Sequence, residues 1–275
     1  ISDIVLRKRR KNKWNNIRRN KMRSPLQIRT SKSAGVLKKI IPEGSTISSF
    51  FFYDGTVEVA LANSNRIVVA HTNKYPVYEF WTTLIKDPEG LAVAAEFMHE
   101  RLLEPEMYLL QENWTSYNKQ KDRATFFYIL SKCSEAGLAS CGKIDKKRLN
   151  SRNITNLKRF KIKNLYPFYD NAKDPLEGIK SAKHTNFLFF PIGDYNYNLF
   201  DQGKNIGPDM PLINHTDIRN ILKETDKKWV AVYNKHPAVF KLYKDENIIM
   251  VDKYGNITTQ RQRCKEIIIN NFVSI

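Results

Sequence analysis

The run Phe187-Leu188-Phe189-Phe190-Pro191-Ile192 is apolar at every position, and it stops at Gly193-Asp194. A stretch so short and so uniformly apolar fits a strand buried on both faces, and such strands sit inside parallel sheets covered by helices. Ile47–Tyr53, Arg66–Ala70 and Trp229–Tyr233 read as strands of the same kind. Helical patterns alternate with them. Thr56–Ala62 follows the first strand and a turn, and Val77–Ile85 carries Val77, Phe80, Trp81 and Leu84 on one face. Further helices are predicted at Glu89–Leu103, after Asp87-Pro88, and at Arg123–Cys133. Thr216–Lys223, capped by Asn214 or Thr216 with Asp217 in its first turn, and Ala238–Tyr243 complete the set. Ile248–Asp252 and Ile257–Gln260 flank Lys253-Tyr254-Gly255-Asn256, which signals a hairpin. Strand and helix alternate in both halves of the chain, so the expected fold is α/β, Rossmann-like, with a mostly parallel sheet. The core is expected over 34–90 and 181–275, with a helical basic insertion at 91–180 and a basic extension at 1–33.

The chain of 275 residues has a net charge of +18, and this charge is unevenly placed. Residues 1–33 hold twelve basic residues, among them Arg7, Lys8, Arg9, Arg10, Lys11, Arg18 and Arg19, against the single acid Asp3. Residues 143–163 hold Lys143, Lys146, Lys147, Arg148, Arg152, Lys158, Arg159, Lys161 and Lys163 against Asp145. The rest of the chain is close to neutral. Two cationic segments on an ordinary globular body suit a polyanion, since each phosphate neutralised releases condensed counterions. Trp14 and Phe160 lie among these cations and supply candidate stacking surfaces. The first segment fits an organelle transit leader as well as a binding arm, and a solvated charged face accounts for the second without any ligand.

No apolar run approaches the roughly 18 residues of a membrane span, so the chain is expected to be soluble and intracellular, without a membrane partner. Cys133, Cys141 and Cys264 are too few and too irregular for a disulfide scaffold or a four-ligand zinc site. No metal is expected, because His71, His99, His184, His215 and His236 show no ligand spacing. Asp54 and Glu58 lie one helical turn apart, and a first-turn acid favouring the helix dipole accounts for Asp54. Tyr195 and Tyr197 suit either an exposed strand or a base-stacking loop.

Several collinear pieces carry a resemblance. They are Arg23-Ser24-Pro25-Leu26 with Lys32 and Leu37–Pro42, then Val77–Trp81 with Lys86-Asp87-Pro88-Glu89, then Leu130–Leu138 with Gly137, Trp229–Asn234 and Lys265–Phe272. In this order, over 23–272, the chain resembles the Dam-type adenine-specific DNA methyltransferases (class alpha). The resemblance implies a methyltransferase fold that binds S-adenosylmethionine on a glycine-rich strand-to-helix turn, where missing side chains let backbone approach the ligand. Here that turn is Phe52-Tyr53-Asp54-Gly55-Thr56, with one glycine. The acid that would hold the cofactor ribose falls near His71-Thr72-Asn73, and the opening Gly-Gly is Thr30-Ser31 although Lys32 is kept. The catalytic Asp-Pro-Pro-Tyr aligns with Phe189, Phe190, Pro191 and Ile192, which offer neither a carboxylate for an adenine amino group nor a ring for the flipped base. Asp194 and Tyr195 offer a shifted version of that motif.

The resemblance together with these losses leads us to expect a pseudo-methyltransferase: no catalytic residue, no bound cofactor, and bulky apolar groups filling the former active-site hollow. Its expected role is nucleic-acid binding, DNA rather than RNA, through the two basic segments, within a larger nucleoprotein assembly that includes protein partners. A divergent, active adenine methyltransferase using S-adenosylmethionine and a structural scaffold subunit are the alternatives.

Overall fold

The computed structural model describes residues 23–26, 31–135, 137–170, 178–179, 182, 184–195 and 214–273. The cations named above between Arg7 and Arg19, and Tyr197, lie outside the described residues.

Among the described residues seven strands form one sheet in the order β3-β2-β1-β4-β5-β7-β6: β1 Thr46–Ser49, β2 Ile67–Thr72, β3 Leu165–Tyr169, β4 Phe187–Gly193, β5 Lys228–Asn234, β6 Asn247–Asp252 and β7 Cys264–Asn270. β3, β2, β1, β4 and β5 are mutually parallel, and β7 runs antiparallel to both β5 and β6. The protein is therefore α/β with a mostly parallel, Rossmann-like sheet.

Nine α-helices stand among the described residues: α1 Ala34–Ile40, α2 Thr56–Ala62, α3 Tyr75–Lys86, α4 Pro88–Arg101, α5 Glu104–Asn113, α6 Gln120–Cys133, α7 Ser151–Lys158, α8 His215–Glu224 and α9 Pro237–Leu242. Side chains alternate across a strand, and β4 shows the result directly. Phe187 and Phe189 join the core beneath α1–α4 and α6, whereas Leu188, Phe190 and Ile192 join a second core under α8 and α9. The all-apolar run of β4 is thus explained by burial on both faces of a central strand.

α6 is buried at every position from Ala124 to Ser131 and forms the centre of the helical layer. Phe80 of α3 stacks on Tyr128 of α6 with ring centroids 5.9 Å apart and an interplanar angle of 2°. The helical segment thereby shares one continuous core with the sheet. It ends before β3, whose pairing with β2 places Leu165–Tyr169 in the sheet although these residues fall inside the expected 91–180 insertion.

β1 also differs from its expected extent. It stops at Ser49, because Phe51 adopts left-handed backbone (φ 58°), so 50–53 forms a turn rather than more strand. The hairpin turn forms as expected: the Asp252 carboxylate accepts from the Tyr254 and Asn256 amides, and Gly255 takes φ 86°. Its second strand is β7, at 264–270, whereas Ile257 makes only an isolated bridge to Val251.

Arg123 ties α3 to α6. Its Nε donates to Glu79 Oε2 at 2.8 Å, Nη2 donates to Glu79 Oε1, and Nη1 caps the Asn118 carbonyl at 2.9 Å. The pair is largely buried, and hydrogen bonding to Glu79 raises the Arg123 pKa. Breaking it would strand a buried cation. Glu79→Gln is expected to lower the unfolding free energy by about 2 kcal/mol, measured as a reduced midpoint in urea at neutral pH, with Arg123→Lys also destabilising because the two-pronged geometry is lost.

Candidate functional site

The strand order reverses between β1 and β4, and in such sheets a crevice opens beyond the carboxyl ends of the strands flanking the reversal. Here that crevice is a cleft of about 750 Å³. Phe51, Tyr53, Asp54, Thr56, Val57 and Glu58 line it from the β1–α2 turn, Pro191, Gly193 and Asp194 from β4, and Val232, Asn234 and Lys235 from β5. Lys32, Lys253, Lys265 and Glu266 complete its wall.

The hollow is therefore open, contrary to the expectation from sequence, and the reason lies in where the large side chains go. Phe189 and Phe190 point to opposite faces of the sheet and are fully buried there, and Ile192 is buried with Phe190. Of the four residues aligned with the catalytic motif, Pro191 alone lines the cleft. The Tyr53 ring meets Phe127 edge-on at 6.0 Å, inside the helical layer.

The turn after β1 is held from several sides. The Tyr53 carbonyl accepts from Trp81 Nε1 at 2.8 Å, and the Asp54 carboxylate accepts from the Thr56 amide at 3.1 Å and from its hydroxyl at 3.0 Å. Gly55 takes φ 65°, and a Cβ there would come within 2.5 Å of the Trp81 ring, which accounts for the one glycine that remains.

Asp194 sits at the end of β4 and accepts from Asn234 Nδ2 at 2.7 Å. The next residue, Tyr195, is sandwiched. His215 stacks on one face at a centroid distance of 4.3 Å and 17°, and His236 stacks at 4.7 Å and 7°. His215 Nε2 lies 2.8 Å from the Tyr195 carbonyl and must donate to it. In the neutral ring Nδ1 then accepts from the Tyr233 hydroxyl at 3.2 Å, and Tyr233 in turn lies 3.3 Å from the Tyr243 hydroxyl. Burial lowers the His215 pKa and raises those of both tyrosines, Tyr243 to about 12. Of the two sequence readings of Tyr195, exposed strand or base-stacking loop, the structure gives neither: the ring is closed on both sides by histidines.

Glu266 of β7 acts as a clamp. Its carboxylate accepts from the Lys32 amide at 2.8 Å, the Ser33 amide at 2.8 Å, the Ser33 hydroxyl at 2.5 Å and the Ser31 hydroxyl at 3.2 Å. This fixes Lys32 at the cleft, opposite the β1 turn.

His71, at the end of β2, stacks on Phe50 and places Nδ1 3.1 Å from Asp170 Oδ2. A carboxylate thus does stand beside the His71 position, supplied from ninety-nine residues downstream because β3 runs in register with β2 and the Asp170 amide donates to the Thr72 carbonyl. No local sequence signal marks that pairing.

The basic segment divides into two kinds of residue. Lys146 Nζ caps the Glu100 and Leu102 carbonyls beyond α4, Arg148 Nη1 binds the Ser134 and Glu135 carbonyls, and Lys158 pairs with Glu89 at 2.8 Å. Lys143, Lys147, Arg152, Arg159, Lys161 and Lys163 are exposed, and their side chains form no ion pair or hydrogen bond among the described residues. α7 itself is set by an Asn150–Asn153 capping box, which the run of cations obscures in the sequence. The three cysteines are free thiols, and the described residues contain no metal-binding group of three or more His, Cys, Asp or Glu.

Compared with known proteins, the chain matches no family model and no curated protein.

Glu58 lies at the cleft floor, fully buried, and accepts from Ser49 Oγ at 2.7 Å. Burial pushes its pKa up to about 7. Between the carboxyl pKa of an unfolded chain, near 4.5, and about 7, the unfolded chain releases a proton that the native state keeps. Native stability contributed by this group is present below that window and falls as pH rises through it, by up to about 3 kcal/mol. Glu58→Gln keeps the acceptor for Ser49 and removes the titration. Urea denaturation is expected to show the variant gaining on the wild type between pH 5 and pH 8, with the difference flat above pH 8.

Proposed function

We propose that this chain is a methyltransferase-like protein that does not transfer methyl groups and that binds nucleic acid, DNA rather than RNA, through its basic segments as a subunit of a larger nucleoprotein assembly. The observation that carries the reading is the set of six exposed cations over 143–163 with no carboxylate partner among the described residues. Internal ion pairs neutralise charge, and unpaired exposed ones attract phosphate. The absence of catalysis is supported by the end of β4. The ring that would stack on an extruded base is Tyr195, and both its faces are covered. Asp194 is engaged by Asn234, and Tyr195 follows it directly, with neither of the motif's two prolines between them.

Binding to a labelled duplex should fall roughly a thousand-fold between about 50 and about 200 mM salt if six phosphates are neutralised. Each of Lys147→Ala, Arg152→Ala and Lys161→Ala should weaken binding across sequences alike and reduce the log–log salt slope by about one. Anisotropy titrations measure both, and affinity that is constant across this salt range overturns the reading.

One observation favours a divergent, active methyltransferase instead: the cleft is open, at about 750 Å³, with Asp194 on its wall. Calorimetry with S-adenosylmethionine and label transfer to DNA separate the two. On the reading proposed here neither heat nor transfer is expected, and transfer to adenine replaces it with the active enzyme.

A further inference from the structure

We infer that the β3 edge of the sheet is a stacking platform for unpaired bases, so that the nucleic acid bound beside the basic segment is single-stranded there. This rests on the nucleic-acid reading above and names the form of ligand at that place. Tyr166 and Phe168 are 52% and 50% exposed, large fractions for aromatic rings in a strand. They are two residues apart and so share one face of the sheet, roughly 6.6 Å apart along the strand. The same face continues onto β2 through Val69 and His71, their register partners. Phe168 rests against His71 at 5.1 Å, which leaves its outer side open.

Three observations choose the occupant. First, the chain carries no acid anywhere from Lys146 to Tyr169, and Arg159, Lys161 and Lys163 lead straight into the strand, all exposed. Between these cations and the two rings the chain itself places no carboxylate, and the acid that follows, Asp170, is paired with His71. Second, β3 is the last strand of the sheet among the described residues and has Pro167 between the two rings, so its outer edge lacks a donor where an added peptide strand would need one. A β-strand partner is therefore disfavoured. Third, aromatic rings gain from the flat faces of bases, which a duplex keeps stacked on one another and a single strand exposes.

The test uses the full chain with a labelled oligothymidylate, the corresponding oligouridylate and a duplex of equal length, followed by anisotropy. The Tyr166→Ala/Phe168→Ala double variant should lose roughly 30-fold or more in affinity for the single strand, while its duplex affinity stays within twofold of wild type. The ring-conserving Tyr166→Phe/Phe168→Tyr variant should bind the single strand as wild type does, and thermal melts establish that both variants are folded. Equal loss with the two oligonucleotides locates recognition in base and phosphate, and loss with one alone assigns the platform to DNA or to RNA. A folded double-alanine variant with unchanged single-strand affinity overturns the inference. A wild-type chain that binds duplex but not single strand also overturns it and leaves the wider reading standing, whereas a chain that binds none of the three overturns both.

Discussion

The cleft in this fold follows from a reversal of strand order. From β1 the chain builds outward through β2 to β3, returns to the middle for β4, and then builds the other way through β5 to the β6–β7 pair. Connections leaving β1 and β4 diverge, so no crossover covers the carboxyl ends of those two strands, and a crevice there is a geometric consequence of topology rather than of any side chain. This is why the bulky residues of the Phe50–Tyr53 and Phe187–Ile192 runs do not close it. Strand alternation and the left-handed backbone at Phe51 direct them into the two cores or the helical layer, and the gap persists between them.

What the chain has done is to engage the polar groups that face this gap with its own atoms. Glu266 receives four hydrogen bonds from 31–33, and Asp54 closes on Thr56. Asp194 is held by Asn234, and Glu58, its pKa raised by burial, accepts from Ser49. A carboxylate committed to backbone amides gains stability because its charge is solvated by fixed dipoles. Glu266, with four such bonds, has its acceptor sites used up by the chain itself. The sandwich at Tyr195 has the same character, with a ring that could offer two faces to a base instead stacked between His215 and His236. A cleft can thus have volume while the polar groups along its wall are bonded to the chain's own atoms.

The parts of this architecture written locally were legible in the sequence, and the parts made by distant pairing were not. α2 spans Thr56–Ala62 as its pattern indicates, β4 extends the expected run by one residue, and Asn214 caps α8 through bonds to the Thr216 and Asp217 amides. β3 escaped because Pro167 argues against a strand and its partner lies about a hundred residues upstream. The second hairpin strand was misplaced for a related reason: Ile257–Gln260 has strand-like residues close to a good turn, yet the register that buries Ile267 and Ile269 is the one that forms. At the site, Gly55 and Lys32 could be marked from motif position. Asp170 beside His71, Asn234 on Asp194 and the histidines around Tyr195 could not, since each contact joins different strands or helices. The expectation of a filled hollow failed through the same gap, because residue type gives volume while only the fold gives direction.

The placement of charge bears on whether binding and the cleft act together. Lys161 and Lys163 precede β3 and so stand at the starting edge of the parallel strands, whereas the cleft lies beyond their carboxyl ends. A five-residue strand separates those edges by about 16 Å. A polyanion held at the lysines and running along Tyr166 and Phe168 would next meet Asp170, where the acid-free stretch ends, two strands away from β1. The acid-free track thus ends at Asp170 before the cleft is reached, so the proposed binding surface and the cleft are separate features of the fold.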